Sequence, residues 1–116
     1  WNERRRGIVA AYRRVAEHTA LDVVHEPSPE YVGHLCIARH PDRDAFVARL
    51  CERGIGTAIH YPVLDHHQVA LRGYSWRAMG LPESERAVSE IVSLPCFPEL
   101  CDEEVEYTCG CIAACV

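Results

Sequence analysis

The segment from residue 34 to residue 60 constrains the fold more than any other part of the sequence. Residues 34–39 form a short apolar run with polar ends, which predicts a strand. Asp42, as the predicted N-cap, then begins a helix that we expect to reach Arg53, with Gly54 as its stop signal. The small and β-branched residues 55–59 predict a second strand. A strand, helix, strand unit of this kind predicts a two-layer α/β sandwich.

Other elements are predicted from apolar spacing and from turn residues. A first helix over residues 2–18 has Ile8, Tyr12, Val15 and Ala16 at helical spacing, and we expect its arginines at positions 4–6 on a solvated face. Four further predictions complete the chain: a loop over residues 21–31, a short helix or turn over residues 66–72, a loop over residues 73–80 that holds Tyr74 and Trp76, and a strand over residues 92–94.

Three helices should bury an apolar face against the sheet. The expected inward residues are Phe46, Val47, Leu50 and Cys51 in the helix that begins at Asp42; Ala87, Val88 and Ile91 in a helix that begins at Pro82; and Val105, Cys109, Ile112 and Ala113 in a last helix that begins at Asp102.

The length and the net charge of the chain limit the classes of protein to which it can belong. A chain of 116 residues with 48% hydrophobic and 25% charged residues has the size of one domain, residues 1–116. No apolar run approaches the roughly 20 residues of a membrane span, and no signal-peptide pattern is present, so we expect a cytoplasmic protein without membrane contact. The net charge of -5 argues against nucleic-acid binding.

The seven cysteines raise the question of a metal site. Their number is odd, and Cys101, Cys109, Cys111 and Cys115 crowd the last sixteen residues at spacings that do not match zinc motifs. We therefore expect reduced cysteines used as small buried hydrophobes, and no metal ligand. A free-standing Cys/His metal-binding or regulatory ligand-binding module is the alternative interpretation, and a purely structural dimerisation domain is a third.

The stretch from residue 60 to residue 68 gathers three histidines, a tyrosine and an amide. His60 and Tyr61 follow the predicted strand at its carboxyl end, where ligands commonly meet α/β sheets. They are the first candidates for a binding site. A histidine or tyrosine at such a position is also commonly a packed residue with one hydrogen bond, and the residues alone leave both interpretations open.

Two absences bear on the chemistry. All twelve basic residues are arginines, so no lysine-dependent covalent chemistry can occur within this chain. The sequence starts with Trp1 rather than methionine, and we expect it to be a piece of a longer polypeptide.

Several short motifs occur together and in a fixed order. Residues 2–6 read Asn-Glu-Arg-Arg-Arg, residues 42–44 read Asp-Arg-Asp, and residues 54–62 contain Gly-Ile-Gly-Thr followed by His-Tyr-Pro. Leu-Pro-x-x-Glu, Ser-Leu-Pro-x-x-Pro and Asp-Glu-Glu-Val follow at residues 81–85, 93–98 and 102–105. In this order the chain resembles the carboxyl-terminal domain of the pyridoxal-phosphate-dependent sugar-nucleotide aminotransferases called the DegT/StrS family, over nearly its whole length.

The resemblance implies an α/β (α+β) sandwich that is the small C-terminal domain of a fold-type I pyridoxal-phosphate-dependent transferase. The large domain, which carries the Schiff-base lysine and binds pyridoxal phosphate, would lie outside this chain. The implied activity is amino transfer to a nucleotide-linked keto-sugar in amino-sugar biosynthesis, and the implied assembly is a homodimer. The chain alone is then expected to be inactive and to contain no catalytic residue.

The resemblance also implies which residues line the substrate side of the cleft. His60, Tyr61, His66 and Gln68 match family positions there, whereas His67 matches none and is expected on the surface. Two residues depart from the family pattern. Leu64 stands where proline is common and Cys101 where a threonine or serine cap is common, which predicts a looser turn after Pro62 and a looser start of the last helix.

Overall fold

The computed structural model describes residues 1–74 and 79–116, so Trp76 of the predicted loop lies outside the described residues. The elements in chain order are α1 (Asn2–Ala16), β1 (Asp22–Val23), β2 (Cys36–Arg39), α2 (Arg43–Glu52), α3 (Pro82–Glu90), β3 (Ile91–Leu94) and α4 (Asp102–Ala113). Two short 3-10 helices, Asp65–His67 and Val69–Leu71, lie between α2 and α3. The predicted α/β sandwich is confirmed as a small α+β domain.

The strands form one antiparallel sheet in the order β1-β2-β3. β2 and β3 pair over their full lengths, and the strand predicted over residues 92–94 is confirmed. β1 pairs with β2 through two residues, with Val23 opposite Ala38. The prediction of a loop over residues 21–31 is therefore wrong at these two positions. Two residues are too few to show the alternation by which a strand is recognised in a sequence.

The strand predicted over residues 55–59 is not formed. The predicted strand, helix, strand unit therefore lacks its second strand. Only Ala58 pairs, in an isolated bridge: the Ser93 amide donates to the Ala58 carbonyl at 2.7 Å, and the Ala58 amide donates to the Ser93 carbonyl at 3.2 Å. Glycines at positions 54 and 56 flank the buried Ile55, and glycine weakens a strand. His60 therefore follows a single anchored residue rather than the end of a regular strand.

Helix α2 ends in a Schellman motif, as the position of Gly54 predicts. The Gly54 amide donates to the Cys51 carbonyl at 2.9 Å, and the Ile55 amide donates to the Leu50 carbonyl at 3.0 Å. Gly54 adopts a φ of +74°, in the left-handed region that glycine enters at little cost. This motif sets the direction in which the chain leaves α2 towards His60.

We expect Gly54→Ala and Gly110→Ala to change stability in opposite directions. An added methyl group meets no atom within 4 Å at either position, so steric crowding does not decide the outcome. At Gly54 alanine must adopt a positive φ, which costs about 1 kcal/mol. At Gly110, inside α4, alanine raises helix propensity by roughly 0.8–1 kcal/mol. Chemical denaturation of both variants measures the difference, and equal signs would contradict this account.

The starts of two helices differ from prediction. Asp42 occupies the N-cap position of α2, but its side chain accepts no capping hydrogen bond; its amide donates instead to His40 Nδ1 at 3.1 Å. Cys101, expected to loosen the start of α4, forms a capping box with Glu104, whose carboxylate accepts a hydrogen bond from the Cys101 amide at 2.9 Å. The start of α4 is thus capped despite the missing hydroxyl group.

The hydrophobic core is one cluster, to which α1, α2, α4 and the sheet contribute. α1 packs against α4 and β1, and α2 packs against β3. The predicted inward residues Cys51 and Ala113 are exposed, because the buried stripes of α2 and α4 run through neighbouring positions. α3 contributes no buried residue: Ala87 and Val88 are half-buried, and Ile91, predicted to be in this helix, is the first residue of β3. The largest fully buried side chains are Tyr12, Phe46, Ile8, Leu50 and Ile112.

The arginines of α1 do not form the expected solvated face. Arg4 donates to the Leu100 carbonyl and to the Asp102 carboxylate, 2.6 Å away, and so ties α1 to the start of α4. Arg6 donates to the Tyr31 carbonyl at 3.1 Å. These side chains are long enough to reach backbone acceptors on neighbouring segments, which a single-helix view of the sequence does not reveal.

Candidate functional site

The ring of His60 is held in place by a serine from β3. His60 Nδ1 lies 2.8 Å from the Oγ atom of Ser93. Ser93 is 6% exposed, and its backbone forms the bridge to Ala58, two residues before the histidine. One buried residue of the sheet therefore anchors both the backbone before His60 and its side chain.

His60 lines a cavity of about 260 Å³ between the bridged segment and the end of β3. Thr57 and His34 contribute further polar side chains to its wall, and Ser93 and Leu94 form part of the wall on the β3 side. Imidazole and hydroxyl groups can donate and accept hydrogen bonds, which suits an oxygen-rich ligand such as a sugar.

Tyr61 lies beside this cavity rather than in its wall. Its side chain is 71% exposed, and its ring stands edge-on to that of His60 at a centroid separation of 5.5 Å. The His60–Tyr61 peptide bond is cis. An exposed aromatic ring next to a cavity provides apolar contact area for a partner or ligand that covers it.

His66 and Gln68 line a second cavity, of about 380 Å³, together with Arg72. The Gln68 amide donates to the Val63 carbonyl at 3.2 Å and so closes the loop after Pro62. The structure therefore divides the four predicted site residues between two places, with His60 in one cavity and His66 and Gln68 in another. His67 is exposed, as the sequence predicted.

A larger cavity, of about 570 Å³, contains none of the four predicted residues. It lies between α4 and residues 54–56, and its lining is apolar except for a few groups that include Glu103 and Glu104. Carboxylates at the rim repel an anionic ligand such as a nucleotide diphosphate. We therefore assign the candidate site to the smaller cavity that His60 lines.

Sequence reasoning missed Ser93, Thr57, His34 and Arg72 as parts of these two cavities. Ser93 does carry a signal, because it is a polar residue in the otherwise apolar strand β3 and is fully within the sheet. A buried hydroxyl group requires a hydrogen-bond partner, so a search for that partner would have pointed to a nearby polar side chain. The other three residues show no comparable signal in the sequence.

The cysteines behave mainly as small hydrophobes. Cys36, Cys111 and Cys115 are buried, and burial raises the pKa of the Cys36 thiol to about 12, so it remains protonated. Cys51 and Cys101 are exposed, which corrects the expectation that the cysteines are all buried. Within residues 1–74 and 79–116, no group of three or more His, Cys, Asp or Glu side chains is placed to hold a metal ion.

No helix in the described part of the chain is long and apolar enough to cross a membrane.

Solved structures that share this fold include aminotransferases. DesV from S. venezuelae, whose crystal structure contains a ketimine intermediate, is similar with a TM-score of 0.87 and 28% identity, over 98% of this chain and 31% of DesV. The fold thus matches about a third of the length of these solved chains. Residues 1–113 match the DegT/DnrJ/EryC1/StrS aminotransferase family, and the chain belongs to that family.

Curated relatives agree with this assignment. The chain is 42% identical over 110 residues to the dTDP-3-amino-3,6-dideoxy-alpha-D-galactopyranose transaminase of Aneurinibacillus thermoaerophilus, covering 90% of this chain and 29% of that protein. It is 38% identical to a pleiotropic regulatory protein of Geobacillus stearothermophilus, covering 97% of this chain and 32% of that protein. The chain thus spans about a third of the length of the relatives it matches.

Proposed function

We propose that residues 1–116 are the C-terminal domain of a pyridoxal-phosphate-dependent aminotransferase that acts on a nucleotide-linked keto-sugar. The observation that carries this proposal is His60, anchored by Ser93 in the wall of a cavity that Thr57 and His34 also line, within a chain of the DegT/DnrJ/EryC1/StrS family. The domain closes one side of the active-site cleft, and a large domain closes the other.

In this proposal, His60 and Tyr61 contact the sugar. His60 offers a hydrogen bond to a sugar or phosphate oxygen, and Thr57 offers a second polar group from the same wall. Tyr61 supplies apolar contact from its exposed ring. Each of these side chains binds and orients the substrate, and none exchanges a proton with the reacting atoms.

The second cavity takes the nucleotide end in this proposal. His66 and Gln68 lie beside Arg72, whose guanidinium group carries a permanent positive charge. A positive charge favours an anionic diphosphate group, in contrast to the carboxylates of the cavity between α4 and residues 54–56. The positive charge of Arg72 thus supports a placement of the nucleotide at His66 and Gln68 and of the sugar at His60.

The segment from residue 61 to residue 81 supports the presence of a covering domain. None of its described residues is buried, although many are apolar. Contiguous exposed apolar side chains mark an interaction surface. We propose that the large domain, or a second copy in a homodimer, covers this segment of a cytoplasmic enzyme. The exposed large hydrophobic residues there are Tyr61, Val63, Val69, Leu71, Tyr74, Met79 and Leu81.

The side chains of this chain do not fit the covalent attachment of pyridoxal phosphate. The cofactor acts as an electron sink when an amine of the protein or substrate is joined to it, and the protein amine is a lysine side chain. This chain contains twelve arginines and no lysine. We therefore place cofactor attachment and proton transfer in the large domain.

The isolated 116-residue chain is expected to show no transaminase activity and no side-chain adduct with pyridoxal phosphate. Borohydride reduction followed by peptide mass spectrometry measures the adduct, and the N-terminal amine is the control for weak, unspecific reaction. A saturable adduct on a side chain would overturn the proposal. The full-length polypeptide should aminate a nucleotide-linked keto-sugar in the presence of pyridoxal phosphate, and failure with a panel of such sugars would also count against it.

A free-standing metal-binding module is the second candidate, and the described residues offer it no metal cluster. Zinc analysis of the purified chain separates the two candidates. About one equivalent of zinc per chain would favour the module.

A further inference from the structure

We propose that Ser93 is a positioning residue that fixes His60 as its Nε2–H tautomer, so that the ring presents a hydrogen-bond donor to an oxygen of the bound sugar nucleotide. This inference rests on the proposed function of the cavity that His60 lines. Ser93 itself forms part of the cavity wall, and the role inferred here is the one it exerts through the orientation and protonation of the His60 ring.

The position of Ser93 is fixed from two sides. Within the sheet it lies opposite Ile37 of β2, and on its other side its amide and carbonyl groups both bond to Ala58. Its side chain is 6% exposed and contacts the ring of His60. Because the backbone of β3 cannot shift without breaking the sheet, the Oγ atom is a stiff support for the ring.

The hydrogen-bond donors and acceptors available at this contact favour one tautomer of His60. Within residues 1–74 and 79–116, the bond to His60 Nδ1 is the one hydrogen bond that Ser93 Oγ makes. If Nδ1 were the donor, the buried hydroxyl hydrogen of Ser93 would have no acceptor, at a cost of about 1–3 kcal/mol. If the hydroxyl group donates to Nδ1, no group is left unsatisfied. In a neutral ring the hydrogen then resides on Nε2.

The tautomer decides which ligand atom His60 can bind. An Nε2–H group donates to carbonyl, hydroxyl or phosphate oxygens, whereas the opposite tautomer would present a bare nitrogen that repels carbonyl and phosphate oxygens and only accepts a hydrogen bond from a hydroxyl group. A keto-sugar diphosphate offers acceptor oxygens at each of these groups. Ser93 thus favours an acceptor-rich ligand in the cavity.

The test is nitrogen-15 NMR of the imidazole rings in the 116-residue chain, at a pH at which His60 is neutral. We expect an unprotonated Nδ1 and a protonated Nε2 for wild-type His60. Ser93→Ala should give a mixture of tautomers, and Ser93→Thr, which keeps the hydroxyl group, should restore the wild-type pattern. If the larger threonine prevents folding, Ser93→Cys retains a weak donor of similar size and should give an intermediate pattern.

Two outcomes would overturn the inference: a protonated Nδ1 in the wild-type chain, or an unchanged His60 spectrum in a folded Ser93→Ala chain. The first needs no variant, so a folding failure cannot leave the inference undecided. In the full-length enzyme, Ser93→Ala should lower kcat/KM for the keto-sugar about 2- to 10-fold, as for loss of one hydrogen bond.

Different results would contradict the proposed function of the cavity and the proposed role of Ser93. If the expected tautomer is found but His60→Ala leaves the full-length enzyme fully active, the proposed function of the cavity is wrong. If His60→Ala lowers activity but the wild-type ring carries its hydrogen on Nδ1, the role of Ser93 is wrong and the cavity assignment stands.

Discussion

Phe46→Ala is expected to destabilise the domain by about 3–5 kcal/mol, the range for truncating a fully buried aromatic residue. Phe46 is 0% exposed within the core cluster of the described residues, and its ring stacks on His40 at a centroid separation of 5.0 Å. A domain of this size has a free energy of unfolding of roughly 5–15 kcal/mol, so the substitution would remove a large share of that free energy. Urea denaturation followed by circular dichroism measures the change.

Cys51→Ala is the matched control for this prediction. Cys51 lies on the same helix, α2, but its side chain is exposed. The change should alter stability by less than about 0.5 kcal/mol, as surface substitutions usually do. A loss below about 1 kcal/mol for Phe46→Ala, or similar losses for both variants, would mean that Phe46 is not part of the core as described.

His60→Ala in the full-length enzyme is expected to lower kcat/KM for the keto-sugar by about 1–3 kcal/mol, which is roughly 5- to 150-fold. The reason is the loss of a hydrogen bond from a ring that Ser93 holds at 2.8 Å. The half-reaction with the amino donor should be less affected if that donor makes fewer contacts with this side of the cleft. Single-turnover kinetics of each half-reaction separates the two effects.

His25→Ala is the control for this experiment. His25 is an exposed histidine whose ring stacks on Tyr31, and it does not line the cavity. Its loss should leave both half-reactions unchanged. If His60→Ala instead lowers both half-reactions equally and also causes a large drop in melting temperature, His60 is a packed structural residue and the assignment of the site fails.

Local patterns predicted most of the fold correctly. Helical spacing of apolar residues located α1, α2 and α4, and Pro82 marked the first turn of α3. Gly54 marked the end of α2 because only a residue tolerant of positive φ fits there. These features depend on neighbours within four or five residues, which the sequence displays directly. The motifs that identify the family are equally local, and so the family was recognisable before the structure.

The candidate site was predictable only in part. His60 was found because it stands among other polar residues after an apolar run, and the structure shows it in a cavity wall. The strand expected before it was wrong, because glycines interrupt residues 54–56 and one bridge replaces a ladder. Ser93 was not assigned to the site, since its role depends on a residue 33 positions away.

The amino-acid sequence by itself determined the family, the helices and the absence of any lysine for covalent chemistry. Only the tertiary structure decided that Ala58 pairs with β3, that Ser93 holds His60, and that Arg4 reaches Leu100 and Asp102 across 96 and 98 positions. The physical reason is the separation along the chain of the residues that interact. Helix caps and apolar stripes are set by the nearest residues along the chain, whereas these contacts join segments that only the packing of helices and sheet brings together.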